Sequence, residues 1–129
     1  MISSLEVWDA QLAAAAARLI AARVDVVTRL RPWAASSYER VSQGQSAAHL
    51  AYRSSLLLHE GRAEPDPSDD MAVTDAETAL NDVSSTAMRL EAAMSELRDR
   101  EIDRGANLVG AHRDDLILHV GALPAKGFA

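Results

Sequence analysis

The sequence predicts an α+β chain, mainly helical, in which two helices pair as an antiparallel arm and short β-strands follow. Three observations predict it. Two apolar seams repeat at spacings of three and four, a proline- and acid-rich connection lies between them, and the pattern turns strand-like after Gly105.

The first seam runs through Leu5, Trp8, Leu12, Ala15, Leu19, Ala22 and Val26, the spacing of a heptad rather than of a broad amphipathic face. Ser3 and Glu6 fit a capping box, in which the serine accepts from an early backbone N–H and the glutamate reaches back. Pro32 marks the far end, so the helix is placed at about residues 4–30. Residues 32–41 read as a short separate helix with proline in its first turn, ended by Gly44. Residues 46–58 are ambiguous. Ala48, Leu50 and Tyr52 alternate with His49, Ala51 and Arg53 as a strand would, whereas Ala47, Leu50, Ala51 and Ser54 suit a helix equally well.

Residues 60–70 carry Gly61, Pro65 and Pro67 among acids and are expected to form a solvated loop, the least ordered part of the chain. The second seam follows through Val73, Ala76, Leu80, Val83, Ala87, Leu90, Met94 and Leu97, and is the expected partner of the first. Thr74 with Glu77 offers a capping box. Asp75 and Glu77 suit the positive end of the helix dipole, and Arg98, Arg100 and Arg104 suit the negative end before Gly105. Beyond Gly105, Leu108 and Val109, then Leu116, Ile117, Leu118 and Val120, read as two short strands. A lone hairpin is marginal in water, so these strands are expected to want a sheet from elsewhere.

At 129 residues the chain fits one core, and with no cysteine it has neither a disulfide framework nor a thiolate metal site. No leader for export is evident and no apolar run approaches the roughly 20 residues that cross a bilayer, so a cytoplasmic, non-membrane protein is expected. The net charge of -6 is local: residues 60–82 hold eight acids against Arg62, and the rest is nearly neutral. Such a chain lacks the general attraction to phosphate that non-specific DNA binding depends on.

Chemistry concentrates in Gly110, Ala111, His112, Arg113, Asp114 and Asp115, a polar run between the two predicted strands. An imidazole exchanges protons near neutral pH and a guanidinium grips phosphate, so the run can serve a nucleotide or DNA site. The competing reading is a surface turn whose charges pair internally. One histidine beside two adjacent aspartates does not converge on a metal, and no metal site is expected. Lys126 could face phosphate or be an exposed loop lysine. Arg53 and His59 form the R-x5-H spacing of HEPN ribonucleases, a weak signal that any helix-rich chain can carry. No G-x-x-x-x-G-K-[ST] loop, no apolar strand ending in paired acids and no S-x-G-E signature is present, so the chain is not a complete ATPase.

The segment RDREIDRGANLVGAHRDDLILHVGALPAKGFA at residues 98–129 resembles RecF, the bacterial gap-repair ATPase, where G-P-H-(R/K)-x-D-L stands at this place. Leu5-Glu6-Val7-Trp8-Asp9, Leu12 and the run at 19–25 are similar to the start of the actinobacterial arm. Ala51-Tyr52-Arg53-Ser54-Ser55 looks like the family's G-Y-R-A-S strand. Ala111 departs from the usual proline, which frees the turn's backbone. The resemblance implies an ABC-type ATPase head related to Rad50 and SMC proteins, with a helical arm at residues 1–104, its acidic loop at 60–72, and returning head strands at 105–129. The chain ends where the signature motif is expected. It further implies ATP and Mg2+ as cofactors of the full-length protein and none for this chain alone. The partners it implies are RecR, RecO and a second RecF subunit, with gapped DNA bound by the intact protein, in RecA loading, replication-fork repair and the SOS response. Gly110, His112, Arg113, Asp114, Asp115 and Lys126 are then the candidate residues near a nucleotide or DNA site. The alternative is a self-standing helical interaction protein.

Overall fold

A computed structural model describes residues 4–105 and 108–122. In chain order they form helix α1 (Ser4–Ser42), strand β1 (Ser46–Arg53), and helices α2 (Ser55–His59), α3 (Asp70–Thr78), α4 (Val83–Glu96) and α5 (Arg98–Arg104). A single 3-10 turn (Ala111–Arg113) then precedes strand β2 (Asp115–Ala122). The chain is thus mainly helical with one two-stranded sheet, as the sequence predicts in outline.

Helix α1 does not stop before Pro32 but continues ten residues past it. The reason is tertiary. Arg31, just before the proline, donates to the Leu50 carbonyl of β1 at 3.2 Å through Nη2 and 3.3 Å through Nε, and pairs with Glu77 of α3. These anchors outweigh the one backbone bond that proline removes. Gly44 marks the true end, as expected: its N–H returns to the Glu39 carbonyl at 2.9 Å, with Gly44 at φ 76°.

The second seam lies in the core as predicted, with Val73, Ala76, Leu80, Leu90, Met94 and Leu97 buried, but the helix expected to reach Gly105 is broken into three, after Thr78 and again at Leu97. Asn81 and Asp82 interrupt it. The Asp82 carboxylate accepts from the Ser85 N–H at 3.3 Å, and the Asp69 carboxylate from the Ala72 N–H at 3.1 Å. Aspartates therefore cap α3 and α4, in place of the Thr74 box. The carbonyls left at the end of α3 are also used: Ala79 O accepts from Arg89 at 2.6 Å. Gly105 closes α5 at φ 66°. The Ser3 box lies outside the described residues.

The first seam is overturned. Trp8, Leu12, Leu19 and Val26 face solvent, with Trp8 68 % exposed. The core-facing stripe of α1 is its neighbour, Ala13, Ala16, Ala17, Ile20, Val24 and Val27. Small residues here let α4, bearing Leu90, Ala93 and Met94, close against α1. The two helices run antiparallel: Arg98 reaches Asp9 at 2.8 Å near the start of α1, while Glu77 meets Thr28 and Arg31 far along it.

Of the two strands expected after Gly105, only the second forms, and its partner lies within the chain. β2 pairs antiparallel with β1 in a register running from Ser46↔Ala122 to Arg53↔Asp115. Ala48, Leu50 and Tyr52 of β1 turn inward and are buried. Leu116, Leu118 and Val120, opposite them on β2, stay exposed because α1 covers β1 and β2 overhangs it. The acid-rich connection is tied back at several points: Glu60 accepts from Arg89 at 2.8 Å, the Arg62 N–H reaches Leu57 O at 3.0 Å, and Asp66 accepts from Ser68. Among the described residues no helix is long and apolar enough to cross a membrane.

Candidate functional site

The turn at residues 110–115 is built from three distant parts of the chain, with Asp114 at their junction. Its Oδ2 accepts from the Tyr52 hydroxyl at 2.6 Å. Its Oδ1 accepts from the Ser55 N–H at 2.8 Å and lies 2.9 Å from the Ser55 hydroxyl. That hydroxyl in turn accepts from the Gly110 N–H at 3.0 Å, and its single proton serves either Asp114 or the Gly110 carbonyl at 3.1 Å. From α1, Arg23 donates to the Ala111 carbonyl at 2.7 Å.

Each part is placed by local chemistry. Tyr52 closes the buried face of β1, and a buried phenol needs a partner for its O–H. Ser54 caps α2 by accepting from the Leu57 N–H at 3.2 Å, which leaves the Ser55 N–H to meet Asp114. Gly110 sits at φ 136°, and a Cβ there would come 3.2 Å from the His112 ring, so glycine answers both conformation and space. Burial first, and then the hydrogen bond to Asp114, push the Tyr52 phenol far above its ordinary value.

Of the residues proposed from sequence, Gly110 and Asp114 are absorbed into this network, and His112 and Arg113 stand exposed on the 3-10 turn. Asp115 begins β2 and accepts from the N–H of its neighbour Leu116 at 2.8 Å. Lys126 lies outside the described residues. Beside the turn opens a cleft of about 500 Å³, lined by Ala22, Arg23, Val26, Tyr52, His112 and Leu116 among others. The turn is therefore a held platform with an imidazole and a guanidinium at its rim. Ser55 Oγ touches a carboxylate and backbone, not a histidine, and is no activated nucleophile.

Sequence reasoning missed Arg23, Tyr52 and Ser55 as members of this site. Tyr52 and Ser55 do lie in the run likened to G-Y-R-A-S, whose tyrosine ahead of two serines is the available signal.

Elsewhere, Arg53 and His59 do not share a helix: Arg53 ends β1 and His59 ends α2. Arg53 makes a charge contact with Glu64, and His59 lies 2.9 Å from a Glu96 oxygen. The ribonuclease spacing loses its geometric basis. His49 and His119 face each other across the sheet, ring centroids 6.2 Å apart. Among the described residues no group of three or more candidate ligands converges on a metal position.

No protein-family model and no solved structure matches the chain. Curated relatives do. The chain is 46 % identical over 128 residues to a protein of Beutenbergia cavernae named DNA replication and repair protein RecF, covering 99 % of this chain and 31 % of the relative. Proteins of the same name from Rhodococcus erythropolis and Kineococcus radiotolerans are 40 % and 45 % identical, covering 100 % and 98 % of this chain. The chain spans about 30 % of the length of these relatives. The likeness to RecF read from the sequence extends from end to end.

Proposed function

We propose that this chain is the arm segment of a RecF-type protein of DNA replication and repair, residues 1–104 forming the arm and 105–129 leading back to an ABC-type ATPase head. One observation carries the reading: an end-to-end match at 40–46 % identity to relatives of which the chain spans only about a third or less. The antiparallel packing of α1 on α4 agrees with an arm, and the held turn at 110–115 agrees with a joint where an arm meets a head.

In this reading ATP and Mg2+ belong to parts of a full-length protein that the segment does not contain. Its residues do not fit them alone. The sequence has no phosphate-cradling G-x-x-x-x-G-K-[ST] loop, and Asp114 is already engaged by Tyr52 and Ser55. The segment's own contribution is a platform: His112 lining the cleft and Arg113 next to it on the same turn, with Lys126 later in the sequence, to meet phosphate of nucleotide or DNA. RecR, RecO and a second RecF subunit are the partners the reading names, and a gapped DNA junction is the substrate of the intact protein, with SOS and recombination roles and a cytoplasmic address.

The test is a chimera. The matching segment of the Beutenbergia cavernae protein is replaced by this chain and expressed in cells lacking RecF. Survival after ultraviolet damage should approach that given by the unaltered relative. A chimera that is soluble and abundant yet restores nothing, while the unaltered relative does, would sink the reading.

A further inference from the structure

Two histidines meet on the face of the sheet opposite Ala48, Leu50 and Tyr52, and hence away from the core. His49 of β1 and His119 of β2 are direct partners in the strand register, so both side chains leave the sheet on the same side. Their ring centroids lie 6.2 Å apart, with the planes tilted by 31°. A neutral imidazole binds a zinc ion through one ring nitrogen at about 2.0–2.1 Å, which puts the ion about 3.2 Å from the ring centre. Two imidazoles that share one ion therefore have centres between roughly 5.2 Å, at a tetrahedral angle, and roughly 6.4 Å, in line with it. The observed separation falls inside that span.

The neighbours on this face leave room for an ion. On one side of the pair Ala47 stands opposite Gly121, and on the other Ala51 stands opposite Ile117. The His119 ring lies over Gly121, where a Cβ would come 3.6 Å from its Cε1 and Nε2. Three of the four flanking positions are thus alanine or glycine, and the space beside the rings is open to water that could complete a coordination shell.

The acidic connection passes over the same face. Glu64 meets Arg53, the last residue of β1, at 2.6 Å. Asp66, two residues on, lies within electrostatic reach of both rings: its carboxyl is held below its ordinary value, first by the Ser68 N–H and hydroxyl and in smaller part by His119 and His49. The two Ser68 bonds, at 2.9 and 2.7 Å, both fall on Oδ1, so Oδ2 is left to accept from an imidazole N–H or from a metal-bound water. Carboxylates in that position orient histidine ligands and raise their basicity. β1, β2 and the connection all belong to this chain, so the arrangement does not rest on a surface that further polypeptide could cover.

We propose that His49 and His119 form a two-histidine site for a divalent zinc or copper ion, with water completing the coordination and Asp66 beside it as the outer carboxylate. Imidazole suits these ions, whereas Mg2+ prefers oxygen ligands. Two protein nitrogens are fewer than the three or four of a permanent centre, so the ion is exchangeable. Bound across the register, it staples β2 to β1 and steadies the turn that leads into β2 and carries Asp114. The site needs nothing from the RecF reading: failure of the chimera leaves it untouched, and its own failure leaves that reading in place.

The experiment uses the 129-residue chain, whose lack of cysteine removes competing thiolates. Equilibrium dialysis against Zn2+ should show one saturable site per chain that excess Mg2+ does not displace. With less than one equivalent of Cu2+, the electron paramagnetic resonance spectrum should report two imidazole nitrogens in the parent and one in His49→Gln or His119→Gln. Each of these substitutions should weaken Zn2+ binding at least about tenfold and cancel the rise in melting temperature that Zn2+ gives the parent. Asp66→Asn should weaken binding less, by up to about tenfold, and His59→Gln on α2 should leave it unchanged. His49 is half-buried and His119 exposed, so neither substitution opens the core, and the nitrogen count in the parent spectrum requires no variant at all. Three results would overturn the proposal: no saturable Zn2+ site, a Cu2+ spectrum with fewer than two nitrogens in the parent, or a site that survives loss of both histidines. The last would make the bound ion an adventitious one on surface carboxylates.

Discussion

Helix α1 carries two apolar stripes of unlike make. The inner one is mostly alanine and valine around Ile20 and is buried; the outer one holds two tryptophans and three leucines and is not. If residue size alone chose the buried face, the order would be reversed. Close packing chooses it instead, because a helix can approach another only where its side chains are short, and the large residues of α4 and β1 then fill the space. Burial here follows shape complementarity, and the large residues on the outer face of α1 stay exposed.

The two stripes should separate most sharply at the inner contact. Leu90→Ala, opposite the alanines and fully buried, should lower the unfolding free energy by roughly 2–5 kcal/mol in a urea titration followed by circular dichroism. Ala17→Leu tests the converse. It enlarges a residue with no exposed surface and should cost about 1–3 kcal/mol, although it makes the helix more apolar. If Ala17→Leu stabilises, the alanines are not there to admit α4.

The sheet side of the inner face is fixed by polar contacts, and Asp114→Ala asks how much they matter. It leaves the Tyr52 hydroxyl and the Ser55 N–H without their acceptor and should cost about 2–3 kcal/mol. Alkaline pH probes the same contact more gently. The Tyr52 phenol is raised above its ordinary value of 10.0, so below that pH it does not make stability depend on pH. As pH rises further the unfolded chain ionises first, and stability falls. Tyr52→Phe should flatten this alkaline fall in stability; an unchanged slope would place its origin elsewhere.

The smallest effects belong to the outer stripe. Leu19→Ala or Trp33→Ala should leave the stability of the dilute, monomeric chain within about 0.5 kcal/mol of the parent, because neither side chain is covered. A loss comparable to that of Leu90→Ala would erase the distinction between the stripes.

What can be read in the sequence divides along the same line. The second seam is legible because its large residues, Leu80, Leu90, Met94 and Leu97, are also the buried ones, so period and size agree. In α1 they disagree: apolar residues occupy two adjacent faces, and spacing alone does not say which meets the core. Pro32 reads as an end by a local rule, and the long-range bonds of Arg31 to Leu50 and Glu77 lie beyond that rule. Asn81 and Asp82 escape notice as breakers because the apolar period runs through them. The polar run at 110–115 can be located as a site from its residue types. Its inward-turned member, Asp114, and its supports Arg23, Tyr52 and Ser55 depend on contacts 55 to 88 residues distant in sequence, which no local pattern encodes.

Three contacts of this fold join elements across the acidic connection, α1 with α4, β1 with β2 and α2 with α4, while α1 and β1 pack together ahead of it. During synthesis α1, β1 and α2 therefore emerge before α4 and β2, which complete their packing. A long helix, apolar on two faces, and a strand with an open edge must wait at the ribosome until β2 arrives, near the other end of the described residues. The interval is when a holding chaperone has most to offer. A stalled nascent chain cut off within the acidic connection should be protease-sensitive from α1 to α2, and one extended past β2 should acquire resistance in a single step.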